Sequence, residues 1–117
     1  MNQPSNRRRC IRETLGIPVV VEIIESKIRL LDGTLDDIST QGAMFMVPEE
    51  PAKDTKVRVH VKNKENHAVL SGRILWNKTV GEGYRAGMAF DENSADSNNL
   101  AMDIIAREII NESKTKL

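Results

Sequence analysis

Between residues 17 and 91, short runs of alternating apolar and polar residues follow one another, and each run ends at a turn signal. The clearest run is Lys56–Lys62, where three valines alternate with lysine, arginine and histidine. This pattern is typical of a strand with one buried and one solvated face. Several such strands in succession predict an antiparallel barrel or sandwich, so the chain is expected to be mainly β.

Strand boundaries follow from the β-branched runs and from the glycine and proline residues between them. Asp32-Gly33 predicts one hairpin turn, and residues 80–83 (Val-Gly-Glu-Gly) predict another. In the fifth strand, Leu70, Ile74 and Trp76 are predicted to share one face. The six predicted strands span residues 17–24, 27–31, 42–47, 56–62, 67–77 and 84–90.

After residue 91 the apolar period becomes that of a helix, which Asp96 or Ser97 would cap and which would end near Ser113. Leu100 and Ile104 fall opposite its broad apolar face. Two interpretations stay open: the pair packs against a second protomer and forms a homodimer, or it rests on the barrel rim or the loop of residues 91–95. The broad apolar face comprises Ala101, Met102, Ile105, Ala106, Ile109 and Ile110.

Charge is concentrated at the N-terminus, although the formal net charge of the 117 residues is zero. The first 12 residues carry four arginines and no acid, which leaves 13 basic and 17 acidic side chains in the remainder. A basic segment of this kind predicts a local anion site, whereas nucleic-acid binding would spread positive charge over a face. Aromatic residues are only 3% of the chain, so few base-stacking platforms exist and no nucleic-acid partner is expected.

No segment of the sequence predicts membrane insertion. The longest apolar run covers residues 17–21, far short of the ~20 residues that span a bilayer. The polar N-terminus leads directly into arginines without the apolar stretch of a signal peptide. The expected location is therefore the cytoplasm.

Two short motifs carry groups suited to binding a nucleotide. The first is the arginine run of residues 7–12, whose guanidinium forks match phosphate oxygens and the O6/N7 edge of guanine. The second runs from Asp37 through Ser39 to Gly42, directly before a strand. Asp37 is suited to accept hydrogen bonds from guanine, Ser39 to bond a phosphate or sugar, and Gly42 to permit close approach. Each motif also has an ordinary structural interpretation, as a solvated tail or as a turn.

Taken together, Arg8-x-x-x-Arg12, a strand pair, and Asp37-x-Ser39-x-x-Gly42 opening another strand resemble the PilZ domain family. That family carries an RxxxR motif in a flexible N-terminal segment and a D/NxSxxG motif on its barrel. Residues 71–76 and 84–90 are similar to the late strands of the family, and the terminal helix also fits. The resemblance covers residues 6 to 112.

The resemblance implies a six-stranded antiparallel β-barrel of split-barrel type with a C-terminal α-helix. It divides one domain into a flexible arginine-rich segment (1–12), a barrel (13–93) and a helix (94–113). It also implies that cyclic di-GMP binds outside the barrel and changes the conformation of the N-terminal segment, which then signals through an unidentified partner protein. No metal and no organic cofactor are expected. The implied ligand-binding residues are Arg8, Arg9, Arg12, Asp37, Ser39 and Gly42.

Catalysis finds little support in the sequence, and the chain is not expected to be an enzyme. His60 and His67 lie in or beside strands with no clustered carboxylate or partner cysteine, so exposed strand residues are favoured over metal ligands. Ser39 has no nearby histidine to activate it. The main alternative is a ligand-independent, PilZ-like protein-interaction module.

Overall fold

A computed structural model of the protein describes residues 15–62 and 67–116. Six strands are followed by a short 3₁₀ turn at Glu92–Ser94 and one α-helix. The elements are β1 (Ile17–Ile24), β2 (Ile28–Ile38), β3 (Gly42–Val47), β4 (Lys56–Lys62), β5 (His67–Val80), β6 (Gly83–Phe90) and α1 (Ala95–Lys116).

The strands form a closed antiparallel barrel in the order β1-β2-β3-β6-β5-β4. Each strand pairs with two neighbours, so the barrel has no open edge among its six strands. The predicted fold class, a six-stranded antiparallel barrel with a C-terminal helix, is therefore confirmed. The predicted strand at Lys56–Lys62, with one buried and one solvated face, is confirmed. Its three valines point inward and its charged residues point to solvent.

One predicted turn is wrong. Asp32 and Gly33 lie within β2 and pair with Val20 and Val19, while the chain reverses at residues 25–27. Gly33 allows β2 and β3 to approach closely, because a Cβ at this position would overlap the carbonyl oxygen of Met46 on β3. Because β2 continues through this point, it is 11 residues long and ends beside the start of β3.

Two β-bulges change which side chains face outward. One lies between Leu35 and Asp37 on β2, and the other between Ile74 and Trp76 on β5. An extra residue on one strand reverses the alternation beyond it. Trp76 is therefore 37% exposed on the outer surface, and the prediction that it shares the buried face of Leu70 and Ile74 is wrong.

The core fills the barrel and continues under the helix. Phe45, Leu35, Leu70 and Ile74 are fully buried inside the barrel. The inward set also includes Val19, Val21, Ile23, Leu31, Ala43, Val47, Val57, Val59, Val61, Ala68, Ala86 and Met88.

The helix packs against β5, and Ala101 and Ile105 are its buried apolar residues in the described part. Ile104 also packs partly against the core, which agrees with the interpretation that it rests on the barrel. Ala106, predicted on the apolar face, is exposed. Leu100 is exposed, so it is not among the helix residues that pack against the core. Ile104 therefore no longer supports a dimer surface on this helix. Within the described residues, no helix has the length and apolarity that a bilayer crossing requires.

Candidate functional site

The turn between β2 and β3 is built by the Ser39-x-x-Gly42 spacing. The Ser39 amide donates to the Gly42 carbonyl at 2.8 Å, closing the turn. The Ser39 hydroxyl oxygen also accepts from the amides of Gln41 and Gly42 at 3.2 and 3.3 Å. These side-chain bonds replace ladder partners that the turn lacks, which explains a serine three residues before the glycine.

Asp37 and Gly42 lie at the two strand ends that this turn joins. Asp37 follows the β2 bulge and pairs with Met44, and its carboxylate accepts from the Ile38 amide at 2.8 Å. Gly42 pairs with Ala89 on β6, where a Cβ would overlap the carbonyl oxygen of Met88. The fold itself therefore requires a glycine at this position.

An open cleft of about 300 Å³ lies on the outer barrel wall at this turn. We call it the motif cleft. Asp37, Ser39 and Gly42 form one side of it, while Leu75 and Trp76 on β5 form the other. The remaining lining residues are Ile38, Gln41, Ala43, Met44, Gly87, Met88 and Ala89.

The Trp76 indole forms a wall of the motif cleft because Gly87 lies under it. Trp76 and Gly87 are cross-strand partners, and a Cβ on Gly87 would lie within 2.8 Å of the ring. Trp76 is the only tryptophan of the chain and presents an exposed aromatic surface beside the motif. The sequence prediction missed it because the β5 bulge was not anticipated. The pairing of Trp76 with Gly87 is a cross-strand contact, so no local signal in the sequence identified this wall.

The N-terminal segment enters the fold next to Asp37. The Leu15 amide donates to the Asp36 carbonyl at 2.9 Å, which fixes the chain at the β2 bulge. Arg12 precedes Leu15 by three residues in the sequence. Arg8, Arg9 and Arg12 themselves lie outside the described residues.

Asp36 and Arg85 form a charged pair near the motif cleft. Burial raises the pKa of the Asp36 carboxyl. The positive charge of Arg85 lowers this pKa, and the negative charge of Asp37 raises it further. The Arg85 Nε lies 4.0 Å from the Asp36 carboxylate and is buried without a hydrogen-bond partner. Arg85 is two residues from Gly87 on the outer face of β6, so a partly unsatisfied cation lies close to the cleft.

The family model described as the PilZ domain matches residues 6–107. No curated protein matches the chain. The matched range includes the arginine run, the barrel and the first part of the helix.

Proposed function

The chain belongs to the PilZ domain family, the family of cyclic di-GMP receptor domains, and we propose that it binds cyclic di-GMP at the motif cleft. In this proposal Arg8 and Arg12 contact the phosphates and guanine edges, and Arg9 assists or stacks. Asp37 and Ser39 contact a guanine and backbone oxygens of the ligand.

The observation that carries the proposal is the convergence of three features on one side of the barrel. The serine-closed turn presents Asp37 and Ser39, and Trp76 lines the same cleft. Leu15, which follows the arginine run, joins the barrel beside Asp36. A ligand with two guanines and two phosphates needs both an aromatic surface and clustered cations. These requirements fit the residues at and near the cleft.

The size of the motif cleft suits one part of the ligand. A volume of about 300 Å³ is at the lower end of ligand pockets in proteins. We therefore propose that one guanine enters the cleft beside Trp76, and that the N-terminal arginine segment covers the phosphates and the rest of the ligand. Ordering this segment costs conformational free energy, so the affinity should be moderate.

The proposed role is that of a receptor and adaptor, not of an enzyme. Binding would change the conformation of the N-terminal segment and thereby the surface offered to a downstream partner protein. We propose that this takes place in the cytoplasm and that cyclic di-GMP binding requires no metal or organic cofactor. Cyclic di-GMP is thus the ligand and a second protein is the target.

A second candidate is a ligand-independent protein-interaction module. It is favoured by apolar side chains on the outer surface: Ile28 and Leu30 on β2 are 61% and 67% exposed, and Leu100 on α1 is 61% exposed. Such side chains often mark contact surfaces when they cluster.

Isothermal titration calorimetry with cyclic di-GMP tests the proposed function, with GTP and cyclic di-AMP as controls. Saturable heat is expected with cyclic di-GMP alone, and the stoichiometry distinguishes one bound molecule from a stacked pair. The affinity should decrease as salt rises, because phosphate contacts contribute. If the folded protein gives no heat at roughly tens of micromolar ligand, the interaction module becomes the better description.

Trp76→Ala is expected to weaken cyclic di-GMP binding by about 10-fold. Stacking of a base on an aromatic side chain contributes ~1–3 kcal/mol, and each 1.4 kcal/mol is tenfold in affinity. Trp76→Phe keeps an aromatic face and should lose much less. In the parent protein, ligand should also change the fluorescence of Trp76, which is the only tryptophan. Equal affinity of the alanine variant and the parent would remove Trp76 from the site.

A further inference from the structure

Three polar side chains from three strands meet on the outer wall of the barrel away from the motif cleft. Glu22 lies on β1, His60 on β4 and His67 on β5. One Glu22 carboxylate oxygen is 2.9 Å from Nε2 of His60. The other ring nitrogen of His60, Nδ1, is 3.1 Å from Nε2 of His67. Sequence analysis found no carboxylate near these histidines, because Glu22 reaches them only through the pairing of β1 with β4.

The contacts assign the protons of His60. The Glu22 carboxylate also lies 3.6 Å from the Arg58 guanidinium, so it has a cation beside it. A carboxylate oxygen is a hydrogen-bond acceptor, so Nε2 of His60 donates its N–H to Glu22. A neutral His60 ring then has its lone pair on Nδ1, directed toward His67.

This is the arrangement of a metal-binding histidine. Such histidines usually donate their second ring N–H to a carboxylate, which fixes the tautomer and the ring orientation. Two nitrogens bound tetrahedrally to one Zn²⁺ at 2.0–2.1 Å are roughly 3.4 Å apart. The two facing nitrogens of His60 and His67 are 3.1 Å apart, so replacing the shared hydrogen by a metal ion requires only a small movement.

We propose that Nδ1 of His60 and Nε2 of His67 form a two-histidine site for a divalent transition-metal ion, with Glu22 as the carboxylate that orients His60. Binding needs a lone pair on both facing nitrogens. In the hydrogen-bonded pair the shared hydrogen is on Nε2 of His67, so metal binding requires this proton to move to Nδ1 of the same ring, and no net proton is released.

The chemistry of the site selects among metals. Imidazole nitrogens suit Zn²⁺, Cu²⁺ and Ni²⁺, whereas Mg²⁺ and Ca²⁺ require oxygen ligands. Across the residues that the structure describes, no group of three or more His, Cys, Asp or Glu side chains is placed to hold a metal. Water therefore completes the coordination, and the ion should exchange readily. His67 is exposed, which gives the ion access from solvent.

The metal site is separate from the motif cleft. In the barrel order, the neighbours β1 and β4 lie across the ring from β3 and β6, which carry part of the cleft. A metal ion bound to His60 and His67 would tie β4 to the first residue of β5, nine positions before Trp76 on the same strand. The proposal of metal binding at His60 and His67 does not depend on cyclic di-GMP binding at the motif cleft.

Zinc titration by calorimetry tests the metal site. We would use a Cys10→Ser background, because the only thiol of the chain would also bind zinc. One Zn²⁺ per chain is expected, and at about ten times Kd the melting midpoint should rise by roughly 5–10 °C. His60→Ala and His67→Ala should each weaken binding by about 10-fold or more, and Glu22→Gln by about 10-fold. Lys62→Ala is the matched control, because Lys62 is the cross-strand partner of His67. The variant removes a positive charge beside the site and should bind zinc at least as tightly as the Cys10→Ser parent.

Ring-nitrogen NMR gives a second measurement that does not depend on affinity. Zinc should shift Nδ1 of His60 and Nε2 of His67, while cyclic di-GMP binding stays the same in every variant. Failure of the metal site is thus distinguishable from failure of the proposed function. The proposal is overturned by unchanged zinc affinity in His67→Ala, by a stoichiometry of one zinc per two chains, or by no zinc binding.

Discussion

Arg12→Ala is expected to weaken cyclic di-GMP binding by roughly 10- to 100-fold while the barrel stays folded. The expected loss follows from bidentate recognition, since each good arginine–guanine pair contributes ~1–3 kcal/mol. Leu15, three residues after Arg12 in the sequence, has its amide held by the Asp36 carbonyl at the bulge beside Asp37. Arg12 precedes the first residue of β1 by five positions, so its substitution should not affect the core.

Arg8→Ala should have an effect of the same size, and two further variants separate geometry from charge. Arg12→Lys keeps the positive charge but loses the planar fork, so its affinity should fall between those of the parent and Arg12→Ala. Arg7→Ala is the matched control, because Arg7 belongs to the same run but not to the Arg8-x-x-x-Arg12 spacing. It should change the affinity only slightly.

Calorimetry at low and high salt would measure these effects, with circular dichroism as the check on folding. Loss of one phosphate contact should also make the affinity less dependent on salt. Unchanged affinity in both Arg8→Ala and Arg12→Ala would place the ligand elsewhere. An equal loss in all the alanine variants, Arg7→Ala included, would indicate that net charge is recognised, not a specific arrangement.

Much of the fold follows from local patterning, and the errors follow from cross-strand contacts. The Lys56–Lys62 alternation identifies a strand from its own residues alone. Asp32-Gly33 has the local signature of a turn, but Gly33 is required by the nearby carbonyl of Met46, which is distant in sequence. Contacts of that kind are invisible in a single strand, so the length of β2 could not be predicted.

The candidate site, like the fold, has a part that local sequence predicts and a part that depends on cross-strand contacts. The spacing of Ser39 and Gly42 is a local property, because the serine side chain bonds the backbone of its own turn. Trp76 enters the motif cleft only because a bulge reverses its strand and Gly87 leaves room for its ring. The link between Leu15 and Asp36 joins the two motifs, and it too depends on the β2 bulge. Motif residues are therefore predictable, whereas the wall that completes the cleft is not.

Asn98→Asp is expected to destabilise the protein by about 3 kcal/mol or more at neutral pH. Asn98 is 1% exposed, and its amide group pairs with the Ser71 backbone in both directions. Its oxygen accepts from the Ser71 amide at 2.8 Å, and its nitrogen donates to the Ser71 carbonyl at 3.1 Å. An aspartate would place a buried negative charge against that carbonyl, which is far more costly than a lost hydrogen bond.

The effect of Asn98→Asp should depend on pH in a defined direction. Burial raises the folded-state pKa of a carboxyl above its unfolded value of about 3.9, so the destabilisation is absent below that pH and grows as pH rises. Below pH 4 the protonated group can donate to the Ser71 carbonyl again. Asn98→Ala, in contrast, should cost about 1–3 kcal/mol at every pH, because it leaves the Ser71 amide without this partner.

Urea unfolding from pH 4 to pH 7 would measure the difference, with Asn99→Asp as the matched control. Asn99 is the next residue of the same helix and is exposed, so the same chemical change there should alter stability by no more than about 0.5 kcal/mol. The positive end of the helix favours an acid at either position and partly offsets the cost at Asn98. If Asn98→Asp is as stable as the control at pH 7, the Asn98–Ser71 pair is not what holds α1 against β5.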